Sequence, residues 1–117
     1  MKKFILMQFF LAFLSQELIA QQNTIRTCDK KKVKGKVFFL CDAELMTEKG
    51  RSVLVKDQKG YLIADRGVVI DVRQKFVTIA ISAENLKVPG RAPKARDFIE
   101  LVNSDNPDDL AATMSVF

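Results

Sequence analysis

The side chains best placed to do chemistry are two thiols, Cys28 and Cys41, and the lysines crowded between them, Lys30, Lys31, Lys32, Lys34 and Lys36. Arg26 stands just before the first thiol. With only two cysteines in the chain, a single intramolecular pairing is possible. Closing a loop of this length is worth roughly 3 kcal/mol in the chain-entropy picture of a disulfide. The alternative is a pair of buried free thiols. A zinc site is disfavoured, since the chain has no His and two thiolates cannot complete a tetrahedral site.

If Cys28 and Cys41 pair, the lysine segment becomes a stapled loop or hairpin, with Gly35 offering the bend. Its like charges are then held close, at a repulsive cost that a nearby anion lowers. Arg26, Lys30, Lys31, Lys32, Lys34 and Lys36 are therefore the candidate binding residues. The plainer alternative is a solvated hairpin tip that lysine keeps soluble.

Catalysis has little to work with. The commonest general base, His, is missing, which leaves carboxylates and lysines. Asp42 with Glu44, and Asp108 with Asp109, are close in sequence, but such acids on loops and at helix starts ordinarily face solvent or cap. No Gly-x-Ser-x-Gly elbow, phosphate loop or Cys-x-x-Cys motif occurs. The expectation is a protein that is not an enzyme and has no catalytic residue, cofactor or metal.

The start of the chain predicts export. Lys2 and Lys3 precede an apolar run over residues 4–14 interrupted only by Gln8; Ser15, Gln16 and Glu17 follow, and Ala20 supplies the small residue that signal peptidase needs. Cleavage after Ala20 is expected. The rival is an uncleaved anchor, but a spanning helix needs about 20 predominantly apolar residues, which the polar positions break up. The expected organisation is a signal peptide over residues 1–20, a small β domain over 21–102 and a tail with a short helix over 103–117. A periplasmic or secreted location permits the disulfide.

The chain carries a formal charge of +5, and removing Lys2, Lys3 and Glu17 with the signal lowers it only to +4. The basic excess belongs to the mature part. It favours anionic partners, which outside the cytoplasm means membrane surfaces, acidic envelope polymers or an acidic protein.

The elements that must position these groups read as strands. Period-two alternation places Val37, Phe39 and Cys41 on one face and Phe38 and Leu40 on the other, so both faces are expected to be covered. Val53 and Val55 share a face; Asp57-Gln58-Lys59-Gly60 is a tight turn with Gly60 at positive φ. Asp65-Arg66-Gly67 reads as the next turn, after which Val68, Ile70 and Val72 share one face and Val77, Ile79 and Ile81 point inward. Residues 42–50 break the alternation, predicting a helical turn or an irregular loop. Residues 98–102 suit a final strand or one helical turn. Asn106 is a candidate cap for a helix starting at Pro107, with Asp108 and Asp109 in its first turn. The expected fold is mainly β: a small antiparallel SH3-like barrel or curled meander with a short C-terminal helix.

Gly67-Val68-Val69-Ile70-Asp71-Val72 resembles the Gly-x-Val-x-x-Val core of KOW-type modules, a family of small SH3-like β-barrels, with Gly50, Val53 and Val55 about where that family has its first strand. Arg51 stands where the family usually has an acid, and Ala64 and Asp65 where it has a second glycine. The resemblance implies the barrel; the nucleic-acid role typical of KOW modules is not expected of an exported chain. Val55-Lys56-Asp57-x-x-Gly60, followed by Gly67-x-Val69, is also similar to small periplasmic barrels of pilus and secretion machinery. The expected function is an interaction module that docks to a larger envelope assembly through its basic loop or a strand edge. The alternative is charge-driven binding of anionic polymer or lipid headgroups, with only peripheral membrane contact.

Overall fold

The structure, a computed structural model, describes residues 23–88, 90–102 and 107–117. The expected signal segment, its cleavage point and the Asn106 cap lie outside the described residues, as do the side-chain roles expected of Asp108 and Asp109.

Six strands form: β1 (Ile25–Val33), β2 (Lys36–Glu44), β3 (Ser52–Lys56), β4 (Leu62–Arg73), β5 (Phe76–Ser82) and β6 (Phe98–Leu101). A 3-10 turn over Ala83–Asn85 follows β5, and one short helix, α1, spans Pro107–Met114. All strand pairs are antiparallel, in the order β1-β2-β5-β4-β3-β6. Strands β3, β4 and β5 make a meander, as the alternation and the Asp57–Gly60 turn predict. The hairpin of β1 and β2 is added beside β5, so β2 and β3 are sequence neighbours that do not pair.

The sheet curls until its two outer strands touch. The Ile25 N–H donates to the Asp97 carbonyl, the Arg96 N–H to that of Ile25 and the Ile99 N–H to that of Asn23, each at 2.9 Å. One bridge, Thr24 with Phe98, marks this seam. Among the described residues β1 and β6 meet nowhere else, so the fold is a curled, meander-like sheet and not a closed barrel.

Alternation buries Val77, Ile79 and Ile81 inside the curl, with Cys41 and Val69 from the neighbouring strands and Ile99 from β6. The opposite face of β5 points out, where the Thr78 hydroxyl donates to Asp42 Oδ1 at 3.0 Å. A smaller apolar layer lies outside the sheet. Phe38, Val68 and Ala80 are buried there beneath residues of the C-terminal segment, and the Phe117 ring meets Phe38 edge-on, with centroids 5.1 Å apart. Both faces of β2 are thus covered around Phe38 and Cys41, as its sequence suggests, while Asp42 further along the outer face is exposed.

Turn chemistry accounts for the β3–β4 hairpin. Gly60 takes φ of 91°, its N–H donates to the Asp57 carbonyl, and Asp57 Oδ1 accepts from the N–H groups of Lys59 and Tyr61. Elsewhere the structure departs from the expectation. Asp65-Arg66-Gly67 is no turn, because β4 runs straight through it. Gly67 serves close packing instead: a Cβ there would lie 2.9 Å from Ile81 Cγ1 and 3.0 Å from Ile79 Cγ2. Nor do Val68, Ile70 and Val72 share a face. A register shift between Val69 and Asp71 sets Val69 opposite Ile79 and Val72 opposite Val77, leaving Val68 on the outer face. Strand β2 continues to Glu44, since Asp42, Ala43 and Glu44 pair with β5, and residues 45–50 form an irregular loop. Residues 98–101 take the strand alternative, pairing with β3.

Candidate binding surface

The lysine segment folds as a hairpin. Val33 pairs with Lys36 across a two-residue turn in which Lys34 (φ 50°) and Gly35 (φ 82°) both adopt positive φ, the geometry that matches the twist of paired strands. Gly35 takes this conformation without strain, whereas Lys34 pays for its β-carbon. Further down, Cys28 and Cys41 face each other in register and are joined by the disulfide, their Cα atoms 4.0 Å apart.

That spacing carries information about the backbone. Directly opposed residues in an antiparallel pair alternate between hydrogen-bonded pairs about 5.5 Å apart and non-bonded pairs about 4.5 Å apart. Cys28 and Cys41 are of the closer, non-bonded kind. Counting along the register, Asp29, Lys31 and Val33 exchange bonds with β2, while Cys28, Lys30 and Lys32 turn their N–H and C=O groups away from it. Ile25 fits the same pattern, for its outward groups are those that bond Arg96 and Asp97, just before β6, at the seam.

Side chains alternate along with the backbone. Lys30 and Lys32 lie on the disulfide face; Lys31 lies on the other, opposite Phe38. Pairing of β2 with β5 begins at Phe38, so Lys36, Val37 and the turn reach past β5. Lys30, Lys31, Lys32, Lys34 and Lys36 are all exposed, and none forms an ion pair with a described carboxylate. Other cations do find partners: Lys56 pairs with Glu100 at 3.1 Å, Lys87 with Asp65 at 2.8 Å, and Arg73 with Asp71 at 3.2 Å. The acid within the hairpin's first strand, Asp29, is exposed and bridges to none of the lysines.

Arg26 does not join this cluster. It falls in the register shift between Ile25 and Thr27, and its guanidinium stacks over the Phe76 ring, 4.9 Å from the centroid. Lys75 Nζ approaches the same ring at 5.6 Å. Phe76 contacted by two cations is a feature that sequence reasoning missed, because only sheet pairing brings Arg26 to the start of β5. A cleft of about 360 Å³ was equally invisible; it lies between the sheet and the C-terminal segment, with Phe38, Val68 and Ala80 in its floor and Lys34, Lys36 and Arg66 among its polar lining.

Among the described residues, no group of three or more Cys, Asp or Glu side chains is arranged to hold a metal ion, and no helix is long and apolar enough to cross a membrane. Asp42, one of the acids considered for acid–base work, accepts from Thr78 on the sheet surface. The surface is thus suited to binding anions: exposed ammonium groups on a covalently stapled hairpin, beside a strand edge that no described residue pairs with.

No family model matches the chain, and no curated protein or solved structure matches it either. The likeness to KOW-type modules stands on its residues alone.

Proposed function

We propose that the protein is an exported, non-enzymatic interaction module that docks to a larger cell-envelope assembly, of pilus or secretion type, through its basic hairpin. The observation that carries this reading is the set of five exposed lysines without ion-pair partners among the described residues, held on a hairpin that the Cys28–Cys41 disulfide staples. A disulfide is consistent with an oxidising compartment, where the expected signal peptide would deliver the chain. The partner is an acidic envelope protein; no nucleic acid is involved, and membrane contact is peripheral.

Cross-linking in intact cells, with the captured partner identified and its binding then measured in solution, tests the proposal. Changing Lys30, Lys31 and Lys32 together to Glu should leave the circular dichroism melt unchanged and abolish capture. Wild-type binding by that triple variant at low salt would reduce the lysines to a solubility device. Raising ionic strength separates the alternative, because a purely charge-driven polymer or headgroup binder loses most of its affinity while a packed protein interface loses less.

A further inference from the structure

The outer edge of the basic hairpin's first strand is left uncovered by the described residues past the seam, and its geometry specifies more than a charge. The segment leading into β6 covers β1 only at the seam, where Asp97 and Arg96 bond Ile25. At Arg96 the backbone turns away through a φ of 76°, and the Asp97 N–H donates back to the Lys94 carbonyl. Beyond that point no described residue pairs with the outer side of β1. The outward N–H and C=O groups of Cys28, Lys30 and Lys32 are therefore an unfilled ladder on the same side of β1 as the seam, offset from it by the extra residue at Arg26.

We infer that the open edge of β1 receives an extended acidic segment of a protein partner as an added antiparallel strand, continuing the place of β6. The inference rests on the basic hairpin being the docking surface and adds the mode of recognition. Main-chain hydrogen bonds would supply affinity and alternate side chains specificity, as in strand addition generally. Residues of the incoming strand opposite Lys30 and Lys32 share a face with those side chains, about 7 Å apart along the strand. Acids at those two alternate positions meet a lysine each. A slip of one residue would turn them to the other face, where Lys31 attracts but Asp29 repels, so the register that meets both Lys30 and Lys32 is favoured by charge. A second copy of this chain is a poor occupant, because pairing β1 with β1 sets lysines against lysines, the usual protection of an edge against self-association.

The test uses the oxidised mature protein, isotope-labelled, with three probes: a seven-residue peptide alternating Thr and Glu, its twin N-methylated at each Glu, and inorganic polyphosphate. The peptide should slow amide exchange at Cys28, Lys30 and Lys32 by about tenfold or more, while Asp29, Lys31 and Val33, already bonded to β2, change little. The twin has the same charge but lacks the donors of the ladder, and should bind about tenfold or more weakly. Equal binding of peptide and twin, with no alternation in protection, overturns strand addition and leaves a charged hairpin that captures anions. Binding of polyphosphate but not of the peptide overturns it as well. If no probe binds, strand addition and the basic-hairpin reading fall together.

Discussion

The Arg91 guanidinium lies 2.7 Å from the carboxylate of Asp97, whose side chain is only 2 % exposed. The second carboxylate oxygen accepts from the Lys94 N–H at 2.9 Å, and the Asp97 carbonyl accepts from Ile25 across the seam. One residue thus shapes the turn that leads into β6 and holds the two outer strands together. Removing Arg91 leaves a buried carboxylate without its countercharge. Arg91→Ala should cost about 3 kcal/mol in urea unfolding, and a loss under about 1 kcal/mol would mean that the Lys94 N–H and water suffice.

Gly67 is required by packing and not by a turn. Gly67→Ala should destabilise the fold by about 1–3 kcal/mol, the usual range for overpacking a core, because its Cβ would press on Ile79 and Ile81. An unchanged thermal midpoint would show that β4 and β5 separate without penalty.

Adjacent residues of β5 should respond oppositely to substitution. Ile79 is fully buried opposite Cys41 and Val69, so Ile79→Asp places an unpaired charge in a small core and should unfold the protein. Thr78→Ala removes one exposed hydrogen bond to Asp42 and should cost about 1 kcal/mol or less. A soluble Ile79→Asp variant with wild-type melting would refute the strand facing.

Processing and redox state are read together from one intact mass. The exported protein should begin at Gln21 and be lighter than its reduced form by the two thiol hydrogens. A mass that retains residues 1–20 refutes cleavage after Ala20, and labelling of both thiols without denaturant refutes the disulfide. Replacing both cysteines by Ala should lower stability by roughly 3 kcal/mol in the chain-entropy picture.

Much of the fold is legible in the sequence because it depends on local rules. The inward facing of Val77, Ile79 and Ile81 follows from the pleat alone. The Asp57–Gly60 turn follows from a glycine free to take positive φ and an acid placed to accept the N–H groups after it. The helix at Pro107–Met114 follows from a residue pre-set for a first helical position. Each needs only neighbours in sequence.

The stretches whose sequence misleads depend on a partner strand. An extra residue at Ile70 reverses the facing of the rest of β4, and nothing in residues 68–72 announces that pairing with β5 will pass over it. Asp65-Arg66-Gly67 has the composition of a turn, yet β4 runs through it, with Ala64 and Gly67 on either side of an irregularity in the pairing with β3. A run of lysines has no strand signal of its own; β1 is a strand because β2 offers a full register of partners.

At the candidate surface, composition and connectivity are written in the chain: a basic excess, five lysines between two thiols, and a single possible disulfide. Their geometry comes from folding alone. Pairing sends Arg26 away to Phe76, divides the lysines between two faces, and turns the backbone groups of Cys28, Lys30 and Lys32 toward an open edge. Side-chain facing and backbone bonding in a sheet are properties of register, and register is set by strands distant in the chain.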